Sequence, residues 1–112
     1  METSPIDLHF LGEASDGDHE AMMEIVRTAH TDMKLQLDAL AQALRSGDLA
    51  VIKNAAHKVK GSSAMIGAHG LKAVCQQIEA AANAGTSDPL AELWRKCEAE
   101  AKLVMSALAA SR

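Results

Sequence analysis

The sequence predicts an all-α fold, an antiparallel up-down-up-down four-helix bundle with a short N-terminal helix, and three observations lead there. The chain is 48% hydrophobic but only 2% aromatic, with two prolines, so alanine, leucine and methionine must supply the core. Strands favour the β-branched and aromatic side chains that are scarce here. Apolar residues recur at helical spacing in four long segments. The connections between those segments are short, which favours antiparallel neighbours. At 112 residues the chain is sized for one domain, 1–112, with no internal repeat, low-complexity tract or long linker.

The first long helix starts near Asp16 or Asp18 as cap and buries Met22 or Met23, Val26, Met33, Leu37, Leu40 and Leu44, before Ser46-Gly47 ends it. Asp48 caps the second, which buries Ile52, Ala56, Val59, Ser63 and Ile66 until Gly67 and Gly70 break the pattern. The third carries Leu71, Val74, Cys75, Ile78 and Ala82 and stops at Asn83-Ala84-Gly85. The fourth starts around Ser87 or Asp88, tolerates Pro89 in its first turn, and buries Leu90, Leu93 or Trp94, Cys97, Ala101, Val104 and Leu108. Ahead of them, residues 4–8 form the short helix, with Ile6, Leu8, Phe10 and Leu11 covering one end of the bundle.

Composition excludes several functions. The net charge of −4, with no basic groove interleaved with aromatics, argues against a nucleic-acid binder. Cys75 and Cys97 lie far apart in sequence and lack the close spacing of zinc ligands. With no signal peptide and no apolar run approaching about 18 residues, the chain reads as cytoplasmic, with no membrane association. Met1 and a self-contained bundle give the expectation of a free-standing protein.

Charge is unevenly spread. Ten of the fifteen acidic residues fall in residues 1–48, whereas residues 49–78 contain none and carry Lys53, Lys58, Lys60 and Lys72. An electropositive segment therefore sits on an acidic chain. At about 100° per residue, with the apolar stripe of the second helix as origin, His57 falls near 140°, Lys53 near 100°, Lys60 near 80°, Ala64 near 120° and Gly61 near 180°. The imidazole is thus outside the core, with a cation at i+3 and a missing side chain at i+4. A glycine in mid-helix costs about 1 kcal/mol relative to alanine, so something other than helix stability is wanted at Gly61.

The next helix adds a candidate. The break is centred near Ala68, and Glu79 lies eleven residues beyond it, as His57 lies eleven before. An antiparallel hairpin brings the two to the same height. A carboxylate there can hydrogen-bond one ring nitrogen, orient the imidazole and leave the other nitrogen as nucleophile, or it can merely solvate the helix surface. His9, His19, His30 and His69 read as ordinary surface or core residues.

No serine-histidine-acid arrangement with an elbow or oxyanion loop is present, and Ser62 and Ser63 are better explained by small size and packing. Lys53, Asn54, Lys60 and Gly61 occupy the places where metal ligands would flank His57, so no metal is expected. Lysines suit an anion, and a phosphoryl group on His57 is the candidate. Nothing here could make that group, since the chain has no GxxxxGK[ST] loop and no kinase-type glycine loop. A partner protein must donate it.

Residues 56–79, AHKVKGSSAMIGAHGLKAVCQQIE, resemble the signature of histidine-containing phosphotransfer (HPt) domains, A-H-x-[LIV]-K-G-[SA]-[SA]-x-x-x-G followed by Leu, then Cys or a small residue, and closing with Leu or Ile and Glu or Gln. Phe10-Leu11-Gly12 and Gly17-Asp18 are similar to the family's lead-in, less specifically. The resemblance implies that His57 is phosphorylated, Lys60 is the companion cation, Gly61 gives a receiver domain room to approach, Gly67 makes the turn, and Glu79 stands where the family often has Gln or Glu. It implies an antiparallel four-helix bundle that relays phosphoryl groups reversibly between receiver aspartates. Such a carrier has no ATP-binding or kinase activity and no cofactor of its own; Mg2+ is expected on the partner receiver domain. Lys53, Lys58, Ala64 and Met22 are the expected partner-binding residues alongside Gly61, and response-regulator receivers or a hybrid sensor kinase the expected partners of a monomer. The alternative is a non-catalytic adaptor or inhibitor that docks on a receiver or sensor kinase without phosphate turnover.

Overall fold

The computed structural model describes residues 5–7 and 18–110, and these contain four α-helices and no strand. The helices are α1 (His19–Ser46), α2 (Leu49–Met65), α3 (His69–Asn83) and α4 (Leu90–Ala110). Asp18 starts α1 by accepting the Ala21 N–H at 3.1 Å. Gly47, at φ 74°, ends it in the left-handed conformation and returns its N–H to Ala43 O. Asp48 at once caps α2, its Oδ1 accepting from Ala50 N at 3.0 Å and Val51 N at 3.3 Å. The α1–α2 connection is therefore only Gly47 and Asp48.

α2 gives way to α3 through residues 66–68. Gly67 is required there twice over: its φ is 65°, and a Cβ would lie 2.9 Å from the backbone nitrogen of Asp7. Asp7 in turn donates its N–H to Ile66 O at 2.9 Å, which ties the N-terminal segment to this turn. Of the short helix expected over residues 4–8 only residues 5–7 are described; they include a bend, and Ile6 is buried in the core. Leu8, Phe10, Leu11 and Asp16 lie outside the described residues. Gly70 does not break the chain as expected; it belongs to the first turn of α3, where a Cβ would meet the Glu100 carboxylate of α4. Pro89 directly precedes α4, and its carbonyl accepts from Leu93 N, a position where proline's missing N–H leaves no bond unmade.

Each helix packs against two others, α1 on α2 and α4, α3 on α2 and α4, around one shared core. Met33, Leu40, Ile52, Val59, Leu71, Cys75, Ile78, Val104 and Leu108 are fully buried in it. Buried Ser63 donates to Val59 O at 2.7 Å, so its hydroxyl costs the core no unmet bond. Met22, Met23, Leu37, Leu44, Leu93 and Trp94, assigned to the core by spacing, are only partly buried. For Leu37, Leu44 and Trp94 the reason is the loose packing of α1 against α4, which leaves a groove they line. No helix of the described residues is long and apolar enough to cross a membrane.

Candidate functional site

The α2 stripe places Ala56 and Val59 in the core and turns His57, which lies about 100° from Ala56 on the side away from Val59, out to solvent. The His57 side chain is 68% exposed. From α3, Glu79 reaches up beside it with a side chain only 18% exposed, one residue past buried Ile78. His57 Nδ1 lies 2.6 Å from Glu79 Oε2, and Lys60 Nζ donates to Glu79 Oε1 at 2.7 Å. One carboxylate therefore holds both side chains. The Lys60 ammonium, and then the His57 ring, hold the Glu79 carboxyl below its ordinary range, outweighing the opposing effect of burial.

An ionised carboxylate can only accept a hydrogen bond, so the proton of this contact belongs to His57 Nδ1. In the neutral ring the lone pair then resides on Nε2, the nitrogen directed away from Glu79. The site presents an exposed ring nitrogen on an imidazole held by a carboxylate, with a lysine one helical turn away. One turn earlier on α2 and one turn later on α3, Lys53 Nζ donates to Asn83 Oδ1 at 2.9 Å. The register of these bonds shows α2 and α3 to be antiparallel.

Gly61 completes the face. It is exposed, and a Cβ built there would meet nothing within 4 Å, so no contact inside the chain demands a glycine. The space it opens faces outward beside His57. Ala64 and Lys58 are also exposed on α2. The family model described as the Hpt domain matches residues 24–111, which include all of α2 and α3. The chain belongs to the Hpt family.

The Hpt domain is thereby a phosphotransfer protein of two-component systems. Its fold is similar to the crystal structure of histidine-containing phosphotransfer protein B (HptB) from Pseudomonas aeruginosa PAO1, with a TM-score of 0.85 and 24% identity over 96% of this chain and 93% of that one. No curated protein matches it.

Within this Hpt domain the structure brings His57, Lys60 and Glu79 into one hydrogen-bonded group and sets Lys53 one turn away. Met22 stands apart from that group, partly buried against the core in the first turn of α1. Asn83 is the contact that sequence reading missed, having been taken only as a helix stop. Its signal was available, because it lies four residues beyond Glu79 as Lys53 lies four before His57. Among the described residues no three His, Cys, Asp or Glu side chains cluster to hold a metal ion. The free thiols Cys75 and Cys97 are buried, and a hydrogen bond with Cys97 together with burial pushes the Cys75 thiol far up.

Proposed function

We propose that this domain accepts a phosphoryl group on His57 Nε2 from a receiver-domain aspartyl phosphate and passes it to an aspartate on another receiver. The observation that carries this is the 2.6 Å contact between Nδ1 and Glu79, made while the ring itself remains exposed. In the forward step the Nε2 lone pair forms the N–P bond as the P–O bond to the receiver carboxylate breaks, and that carboxylate leaves with the electron pair. The Nδ1 proton stays on the ring, so positive charge develops on the imidazole, where Glu79 offsets it. Lys60 faces the growing charge on the phosphoryl oxygens. The return step runs the same bonds backwards onto a second aspartate.

Glu79 acts by orientation and charge, since the tautomer it selects is the one that leaves Nε2 reactive. Mg2+ belongs to the receiver in this reading. Gly61 and Ala64 present little bulk where the receiver must approach, and Lys53 and Lys58 attract its acidic site. The reading requires a cytoplasmic location. The antiparallel rungs between α2 and α3, together with the short connections, support an up-down-up-down course for all four helices.

The test is to incubate the protein with a phosphorylated receiver and follow acid-labile, alkali-stable label. Label should appear on the wild type, be absent from His57→Gln, and move to a second receiver on its addition. Label persisting in His57→Gln would sink the assignment, and tight receiver binding with no label on the wild type would favour the adaptor role.

A further inference from the structure

We infer that Lys53, held at rest by Asn83, binds the phosphoryl oxygens once the group stands on His57, an inference that rests on the phosphotransfer reading. The charges around the imidazole point to it. Lys60 Nζ and Glu79 Oε1 are 2.7 Å apart, with side chains 24% and 18% exposed, so ammonium and carboxylate largely cancel before any phosphate arrives. Lys53 Nζ donates instead to Asn83 Oδ1, the oxygen of an amide that carries no charge. Of the two lysines that flank His57 on the α3 side, Lys53 is thus the one whose charge is left unbalanced.

A phosphoryl group brings about two negative charges and three acceptor oxygens. With Nδ1 still protonated, the imidazolium offsets one of those charges. Lys60 faces the oxygens but adds no net charge while it is bound to Glu79. One more cation is needed, and Lys53 is placed to supply it. It precedes His57 by one turn and lies about 40° from it round α2. Helical side chains lean toward the N-terminus, so the His57 ring stands over the turn that carries Lys53. A lysine stem is flexible, spans about one helical turn and ends in three rotatable donors.

The change of partner is favourable at both ends. Lys53 exchanges a hydrogen bond to a neutral oxygen for one to a charged oxygen, which is the stronger. Asn83 is exposed, as Lys53 is, so its carbonyl turns to water and no buried group is left unmet. Lys58 has the same charge but lies about 100° from His57 round α2, on the flank away from α3. Lys53 therefore stabilises the phosphorylated product, whereas Lys58 acts on the encounter alone.

The test is the equilibrium partition of label between this protein and a receiver that labels wild-type His57. A lysine that only steers encounter speeds both directions alike and leaves the partition where it was, whereas a lysine that binds the product moves it. Lys53→Met, shown to be folded by circular dichroism, should shift the partition toward the receiver by about threefold or more. Lys53→Arg should hold most of the label on His57. Asn83→Ala, which removes the resting partner, should leave the partition at least as far toward His57 as in the wild type. Lys58→Met should slow the approach to equilibrium without moving its position. An unchanged partition for Lys53→Met would overturn the inference and leave phosphotransfer standing, and an equal shift for Lys58→Met would do the same. Absence of label on the wild type, from a receiver or from phosphoramidate, would remove both.

Discussion

Gly61 is a residue that the domain's own packing does not ask for. Its position has helical geometry and open space around it, so Gly61→Ala should fold normally and gain about 1 kcal/mol of stability in urea titrations. The same variant should lose phosphotransfer rate, by about tenfold or more, because the added methyl stands in the receiver's path. Stability and rate moving in opposite directions would separate a clearance from a structural defect. Glu79 makes the complementary case. Its folded carboxyl binds a proton less readily than the unfolded one, so its stabilising contribution is complete above the unfolded pKa and disappears as pH falls through the lower, folded value. Urea midpoints measured against pH should therefore fall less steeply on the acid side for Glu79→Gln than for the wild type. Transfer by Glu79→Gln should also slow, since the amide carries no charge to offset the imidazolium.

Among the elements, the helix ends divide into those fixed by local chemistry and those fixed by a neighbour. Asp18, Gly47 and Asp48 act on their own or adjoining turns, which is why their roles were readable from residue type alone. Asp48→Ala should cost about 1 kcal/mol, measured by thermal or urea unfolding. Gly70 was misread as a breaker because its neighbour, Glu100, is thirty residues away in sequence and arrives only through the packing of α4. The two glycines around the α2–α3 turn should respond differently to alanine. Gly67→Ala forces a side chain into left-handed backbone against the Asp7 main chain, and should cost about 2 kcal/mol or more. Gly70→Ala meets only the end of a flexible side chain, which can swing aside, and should cost less in the same unfolding assay.

For the whole molecule, the class of fold and the exposed placement of His57 beside Glu79 were legible because they rest on periodicity and on a dense local motif. The distribution of burial was not. A helical stripe shows which face is apolar but not how completely its neighbours will cover it, and so Leu37, Leu44 and Trp94 were given to a core that α1 and α4 do not fully close. Lys53 was visible as a cation, while its bond to Asn83 needed the register of two helices. Under the proposed function, exposed Lys53 and Lys58 would act at the molecular scale, through the field they present to an acidic partner. Initial transfer rates should therefore fall as salt is raised beyond about 0.15 M, where the screening length drops below about 8 Å. The short turn at residues 66–68 has a wider consequence. It works as a gauge block between α2 and α3: one residue inserted there would rotate α3 by about 100° against α2, carrying Glu79 off the imidazole with both helices still intact. The length of that turn is then as much a part of the chemistry as the histidine, and because the same rotation turns Leu71, Cys75 and Ile78 away from the core, an insertion or deletion in it should lower the urea midpoint together with the phosphotransfer rate.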